Sequence, residues 1–203
     1  MQRERNEEGV CQMEELNHLY ERFEAKLQAV SGECYRTQTL EEAEALIAKI
    51  LKDKGIGNVA MVHSPMVAAM NLDKKLTDHG ITVFTDRYHE VTPTVGAGIT
   101  EMKWAISELG TLVQYAEDVN ERLCSSFTPL HIALVQTSTL LPDIMTALAT
   151  VHREPRIPGF VGFITGPSRT SDIERVLTIG VHGPEQLVVV FVDEQAGEGV
   201  VNG

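Results

Sequence analysis

The segment that decides the fold reads NVAMVH at residues 58–63, then a helical stretch from Pro65 to His79 closed by Gly80, then ITVFTD at residues 81–86. β-Branched and apolar residues dominate both flanks, which is typical of buried strands. A strand, a helix and a strand within about thirty residues predict a parallel crossover unit. The sequence therefore predicts an α/β protein built around a parallel sheet.

The same alternation continues toward the C-terminus. It predicts a strand at 131–136 (HIALVQ), a helix at 142–153, a strand at 159–165 (GFVGFIT) and a helix at 171–179. The apolar run LVVVFV at 187–192 is expected to close the sheet. We therefore predict a three-layered α/β fold with a mostly parallel sheet.

Two helices are predicted upstream of the first strand. Apolar residues recur at spacings of three and four over residues 12–30, and Ser31-Gly32 ends this helix with Gly32 available for a left-handed cap. A second helix is expected to begin near Thr39, because Glu42 stands at the spacing of a capping box. Gly55 follows its last turn.

The middle of the chain has a different pattern, and the chain is expected to hold one main domain. Residues 96–116 are rich in glycine and threonine and predict short strands joined by tight turns, and residues 117–129 predict a polar loop. The predicted organisation is an N-terminal helix at 1–35, a single α/β domain at 36–193 and a mobile tail at 194–203.

Composition excludes several classes of function. The 203 residues include 17 Lys and Arg against 29 Asp and Glu, a net charge of −12, and 5% aromatic residues. Without a basic stripe or an aromatic platform, the chain is not expected to bind nucleic acid. No apolar run approaches the roughly 20 residues of a membrane span, and the acidic start has no apolar core of a signal peptide. We expect a cytoplasmic protein.

The cysteines argue against a metal cluster in this chain. Cys11, Cys34 and Cys124 are scattered and form no CxxC pair, so they match no zinc or iron–sulfur spacing. An odd number of separated cysteines suits a reducing cytoplasm. We therefore expect the chain to bind no metal and no cofactor by itself.

The densest motif is TGPSRTSDIERVLTIGVHGP at residues 165–184. Ser171 and Glu174 have capping-box spacing, so a helix is expected to start at Ser171 and to offer its free amides to an anion or a carboxylate. The candidate ligand-binding residues here are Gly166, Ser168, Arg169, Thr170 and Asp172. The alternative is a capped helix entry in which Arg169 pairs with Asp172 or Glu174.

Two further residues are candidates for catalysis. His182 lies in a turn after the predicted helix and is either a proton carrier or a hydrogen-bonded structural residue. Glu108 stands between apolar segments before Gly110 and Thr111, which are candidate ligand contacts because a glycine lets another molecule approach the backbone. The alternative for Glu108 is an acid at a strand end that faces water. His131, at the start of a strand, is expected in the core.

Three stretches in this order resemble the LUD-domain family: AISELGTLV at 105–113, FTPLHIALV with TSTLLP at 127–142, and the motif at 165–184. The resemblance covers roughly residues 92–193. It departs from the family pattern at Leu109, where a threonine or serine usually follows the glutamate. The apolar side chain of Leu109 weakens the case for a catalytic turn.

The resemblance implies a fold similar to the ribose-5-phosphate isomerase and CoA-transferase superfold. It also implies a role in the oxidation of L-lactate to pyruvate, beside separate iron–sulfur subunits that carry the clusters. On this reading the chain is a non-redox accessory subunit that binds a partner, a small organic acid or a phosphate ligand. Whether the chain forms a homo-oligomer stays open.

An enzymatic alternative starts from the turn Ser107-Glu108-Leu109-Gly110, which resembles the glutamate turn of CoA-transferases. That resemblance implies Glu108 as a nucleophile toward a thioester and amides near Gly110 and Thr111 as oxyanion donors. Arg169 would hold a carboxylate or a phosphate. Only one half of a transferase is present in the sequence, so this activity requires a partner subunit or a dimer.

Overall fold

A computed structural model describes residues 2–171, 177–179 and 183–196 of the chain. Its centre is a six-stranded sheet in which every neighbouring pair of strands is parallel. In spatial order the strands are β1 (Glu33–Thr37), β12 (Gln186–Val192), β7 (Leu130–Gln136), β4 (Ala97–Met102), β2 (Asn58–Met61) and β3 (Thr82–Phe84). The predicted parallel α/β fold is confirmed.

A smaller four-stranded sheet lies beside the first. Its strands in spatial order are β8 (Leu140–Leu141), β5 (Trp104–Ile106), β6 (Thr111–Ala116) and β9 (Phe160–Ile164). The strand predicted at 159–165 forms, but it pairs antiparallel with β6 instead of joining the parallel sheet. Phe160 and Phe163 of β9 are solvent-exposed. This exposure is consistent with a place outside the parallel sheet, because a central strand of a parallel sheet is covered on both faces.

The described part of the chain forms seven α-helices. They are α1 (Gln2–Ala29), α2 (Leu40–Asp53), α3 (Pro65–Met70), α4 (Leu72–Asp78), α5 (Tyr88–Val91), α6 (Val119–Ser126) and α7 (Ile144–Arg153). None of these helices has the length and apolar character needed to cross a membrane.

Two apolar cores lie on opposite faces of the six-stranded sheet and create three layers. On one face, α2, α3 and α4 pack on Val59, Ile99 and Ile132. On the other face, Phe23 and Leu27 of α1 pack with residues of the small sheet. Along β12 the side chains alternate between the two cores, as the period of a strand requires. The predicted three-layer arrangement is therefore present.

The capping box predicted for α2 is confirmed, and two other helix ends differ from expectation. Thr39 caps α2 and exchanges hydrogen bonds with Glu42. Residues 65–79 form two helices instead of one, because Asn71 adopts a left-handed conformation with φ 51°, which asparagine tolerates. At the end of α1, Ser31 takes the left-handed position expected of Gly32.

The polar loop predicted at 117–129 is wrong, because α6 occupies most of it. Asp118 caps this helix, because its side chain accepts a hydrogen bond from the Asn120 N–H. The Glu121 carboxylate in turn accepts a hydrogen bond from the Asp118 N–H. Asp118 and Glu121 thus form a capping box like that of α2. The spacing of an acidic cap and a glutamate three residues later outweighs the polar composition of the segment.

The helix predicted at 171–179 is also wrong. Residues Arg169–Ser171 form strand β10 and residues Leu177–Ile179 form strand β11, which pair antiparallel with Ser171 opposite Leu177. The anion site predicted at the first amides of this segment stays a prediction, because those amides lie outside the described residues. The β-branched residues Thr178 and Ile179 favour a strand over a helix here. Residues 172–176, which include Asp172, lie outside the described part.

Candidate functional site

A groove of 370 Å³ runs along β9 and contains part of the predicted motif; we call it the β9 groove. It lies between β9, the loop that follows it and the end of α6. The residues that line it are Gln114, Ser125, Ser126, Phe160, Gly162, Phe163, Ile164, Thr165, Gly166, Ser168, Gly183 and Pro184. Its volume falls in the usual range for sites that bind small molecules.

The two ends of the 165–184 motif meet at one side of the β9 groove. The Ser168 N–H donates a 2.8 Å hydrogen bond to the Pro184 carbonyl oxygen. A Cβ atom added to Gly183 would lie 3.0 Å from the Ser168 Cβ, so the glycine allows the close approach. The structure therefore places the predicted residues Gly166 and Ser168 in one groove with the turn that follows His182. His182 itself lies outside the described residues.

The opposite wall of the β9 groove is a closed set of hydrogen bonds. The Ser125 hydroxyl donates to Gln114 Oε1 at 2.9 Å, and Gln114 Nε2 donates to the Glu121 carbonyl oxygen at 3.1 Å. Ser125 and Gln114 are buried, so these contacts fix the wall. The Arg122 guanidinium lies 5.0 Å from the centre of the Phe160 ring, a cation–π contact beside the groove.

The lining residues give the groove its chemistry. All of those described are uncharged, and they combine hydroxyl groups, glycine backbone and two aromatic rings. Ser126 and Phe163 are exposed. Such a surface can accept hydroxyl and carboxylate oxygens without repulsion from an acidic side chain, in spite of the net charge of −12.

The Glu108 turn lies elsewhere and supports α7. The Glu108 N–H donates to the Pro142 carbonyl oxygen at 3.1 Å, and its carboxylate accepts a 3.3 Å hydrogen bond from the Ile144 N–H. Asp143 caps the same helix and accepts from the Thr146 N–H at 2.7 Å. These hydrogen bonds from Thr146 lower the pKa of Asp143. Two carboxylates therefore stabilise the start of α7.

Helix α1 fills the space that two of the candidate glycines leave open. Gly110 has φ +62°, and a Cβ atom there would lie 2.6 Å from the Leu27 nitrogen. Gly166 has φ +75°, and its Cβ atom would lie 2.7 Å from Val30 Cγ2. The close approach proposed for Gly110 is thus made by the protein's own helix, and the residue after that helix makes a similar approach to Gly166.

Two hydrogen bonds add to the contacts around α1. The Ser107 hydroxyl donates to the Leu19 carbonyl oxygen at 2.8 Å. The Arg169 guanidinium donates to the Ser31 hydroxyl at 2.8 Å. The Arg169 side chain is exposed, so it stands at the surface beside the end of α1.

The Glu108 turn and the motif at 165–184 do meet, through Thr111 and Thr165, whose hydroxyl oxygens lie 2.7 Å apart. The charged side chains of the two segments have different partners. Glu108 accepts a hydrogen bond at the start of α7, whereas Arg169 donates to Ser31. Thr170 lies in β10 opposite Thr178. The proposed use of Glu108 and Arg169 on one ligand stays a prediction.

Sequence reasoning missed the α6 wall of the β9 groove. Ser125 and Ser126 were assigned to a loop, and the capping box at Asp118 and Glu121 was the signal that would have placed them at a helix end. His131 is in the core as expected, with its Nε2 2.7 Å from the Thr100 hydroxyl oxygen. Burial lowers the pKa of His131 to about 4.

The described residues contain no group of three or more His, Cys, Asp or Glu side chains arranged to hold a metal ion.

A family profile and several known proteins are similar to this chain. The LUD domain profile matches residues 20–192. "Lactate utilization protein C 1" of Bacillus mycoides is 27% identical over 93% of this chain and 83% of its own length. "Lactate utilization protein C" of an Exiguobacterium species is 42% identical over 48% of this chain and 44% of its own length.

A solved structure has a similar fold. It is the crystal structure of a DUF162 family protein from Deinococcus radiodurans, with a TM-score of 0.60 and 21% sequence identity. The match covers 87% of this chain and 98% of that chain. Together with the profile match across most of the sequence, these similarities show that the chain belongs to the LUD domain family.

Proposed function

We propose that this chain is a non-redox subunit of a lactate-utilization system, which acts with iron–sulfur partners in the oxidation of L-lactate to pyruvate. The observation that carries the proposal is similarity to proteins named "Lactate utilization protein C", one of which aligns with 93% of this chain and 83% of its own length. The three scattered cysteines fit a division of labour in which partner subunits hold the clusters.

The β9 groove is the proposed binding site for a small organic acid or a phosphate ester. Its described lining carries no acidic side chain, and it offers the Ser126 and Ser168 hydroxyls beside the backbone of Gly166 and Gly183. Hydroxyl and amide donors of this kind bind carboxylate and phosphate oxygens. The exposed Phe163 ring supplies an apolar wall.

Isolation of the tagged chain from cells grown on L-lactate tests the partnership. We expect iron–sulfur proteins to co-purify at low salt, with their characteristic visible absorption and electron paramagnetic resonance signals. A strain that lacks the chain should lose lactate-dependent dye reduction and regain it when the chain is restored. Recovery of no iron–sulfur protein, together with normal dye reduction in the deletion strain, would contradict the proposal.

Thermal shift measurements test the groove. L-Lactate, pyruvate and a panel of sugar phosphates are added to the purified chain, and a ligand at about 100 times its Kd should stabilise the fold by roughly 2.7 kcal/mol. Ser126→Phe should fill the β9 groove and abolish the shift. Ser138→Phe is the matched control, because Ser138 is also exposed but lies outside the groove. An equal shift in both variants would place the ligand elsewhere.

A further inference from the structure

A second cavity lies beside helix α2 and shares no lining residue with the β9 groove. It has a volume of 730 Å³ and is lined by α2 and by the segments that follow α2 and α4; we call it the α2–α4 cleft. Its lining residues are Glu44, Ala45, Ala48, Lys49, Lys52, Asp53, Gly55, Ile56, Gly57, His79, Gly80 and Ile81.

Glu44 is the unusual residue of the α2–α4 cleft. It lies on the buried side of α2 next to core residues such as Ala43 and Ile47, and only 6% of its surface is exposed. Its Oε1 atom is fully buried and accepts no hydrogen bond from the described residues. A buried carboxylate oxygen without a donor is costly, and such atoms in folded proteins usually have a partner.

The basic side chains near Glu44 do not satisfy that atom. His79 Nε2 lies 3.5 Å from Oε1 without hydrogen-bond geometry, and Lys75 Nζ lies 3.5 Å from Oε2. The side chains of His79 and Lys75 are 58% and 48% exposed, so solvent competes for both. A donor that enters from the cleft can therefore reach a carboxylate that the protein leaves incompletely paired.

The rest of the cleft offers an apolar floor and a free positive charge. Ala48, Ile56 and Ile81 form apolar lining, of which Ala48 and Ile81 are buried. Lys49 is engaged by Asp53 at 2.6 Å. Lys52, which also lines the cleft, is exposed and forms no ion pair with any described residue.

We propose that the α2–α4 cleft binds an α-amino acid with a large apolar side chain. The ligand's ammonium group pairs with the Glu44 carboxylate, its own carboxylate lies near Lys52, and its side chain covers Ala48, Ile56 and Ile81. Glu44 and Lys52 both lie on α2, eight residues apart, and this pair of opposite charges matches a zwitterion better than either charge alone. The volume of 730 Å³ accommodates such a molecule.

The test compares three probes that share one ring and differ in their charges. L-Phenylalanine carries both charged groups, 2-phenylethylamine lacks the carboxylate and 3-phenylpropanoate lacks the ammonium. Isothermal titration calorimetry should detect binding of L-phenylalanine and binding weaker by about tenfold or more for the other two. No binding of L-phenylalanine at millimolar concentration, or equal binding of the amine, overturns the proposal.

Variants locate the binding. Glu44→Gln should weaken L-phenylalanine by about tenfold or more, whereas Glu41→Gln on the same helix should not, because Glu41 is exposed and does not line the cleft. Gly57→Leu is the second variant: a Cβ atom at Gly57 meets nothing within 4 Å, so the leucine should fill the cleft and block binding without disturbing the fold. Unchanged affinity in both Glu44→Gln and Gly57→Leu overturns the site.

Discussion

The hydroxyl oxygens of Thr111 and Thr165 lie 2.7 Å apart and join two segments that are more than fifty residues apart in sequence. Thr111 follows the Glu108 turn, and Thr165 begins the 165–184 motif. Antiparallel pairing of β6 with β9 brings them together, with Leu112 opposite Ile164. The family motifs are therefore neighbours in space because of the small sheet, not the parallel sheet.

Thr111→Val and Thr165→Val test this contact. Valine keeps the shape of threonine but removes the hydroxyl, so loss of the hydrogen bond should give a coupling free energy of about 1 kcal/mol in a double-mutant cycle. Urea unfolding of the two single variants and the double variant measures it. Strictly additive effects would mean that the two hydroxyls do not bond in solution.

Gly110→Ala should be strongly destabilising, by about 2 kcal/mol or more. The residue has φ +62°, and the new Cβ atom would meet the backbone of Lys26 and Leu27 in α1. Gly57→Ala is the control, because Gly57 has open space around its Cβ position. Thermal unfolding should show a large drop for the first variant and little change for the second, and similar melting temperatures would refute the contact with α1.

Two substitutions of Glu108 distinguish a structural role of this residue from a catalytic one. Glu108→Gln keeps an oxygen that accepts from the Ile144 N–H, so stability should change little, whereas Glu108→Ala should lose about 1 kcal/mol. If Glu108 supports α7 only, Glu108→Gln retains lactate-dependent activity in complementation. Loss of activity with unchanged stability would instead favour the nucleophile.

A direct chemical test of the nucleophile uses borohydride. Borohydride reduces a glutamyl thioester to an alcohol, which mass spectrometry detects. We expect no modification of Glu108 across a panel of acyl-CoA substrates, because its carboxylate accepts from the α7 backbone. A reduced Glu108 would establish the transferase alternative.

The buried His131 should make the folded protein less stable at acidic pH. Burial lowers its folded pKa from 6.5 to about 4, so the unfolded chain binds a proton more readily than the folded chain. Its contribution to the free energy of unfolding is present above pH 6.5 and is lost as the pH falls toward 4, by about 3 kcal/mol in total. His131→Gln should flatten this part of the pH profile, and the exposed His152→Gln should not.

The sequence predicted the parallel fold because β2, β7 and β12 are mainly apolar along their length, a pattern typical of strands that are buried on both faces. It failed at residues 171–179, where a capping spacing at Ser171 favoured a helix, whereas Arg169–Ser171 and Leu177–Ile179 pair as two antiparallel strands. Pairing between segments that are distant in sequence, such as β6 with β9, leaves no pattern in the residues of either segment from which it could be predicted. For the same reason the α6 wall of the β9 groove and the buried Glu44 emerge only from tertiary packing.

The position of β12 in the middle of the sheet has a consequence for biosynthesis. Although this strand comes last among those described, it bonds to β1 on one side and to β7 on the other. Until the ribosome has released residues 186–192, β1 has no partner and β7 presents an open, apolar edge. The position between β1 and β7 therefore has to stay unoccupied by other strands while the chain is synthesised. A premature stop before residue 186 should yield a product that aggregates instead of a shortened domain.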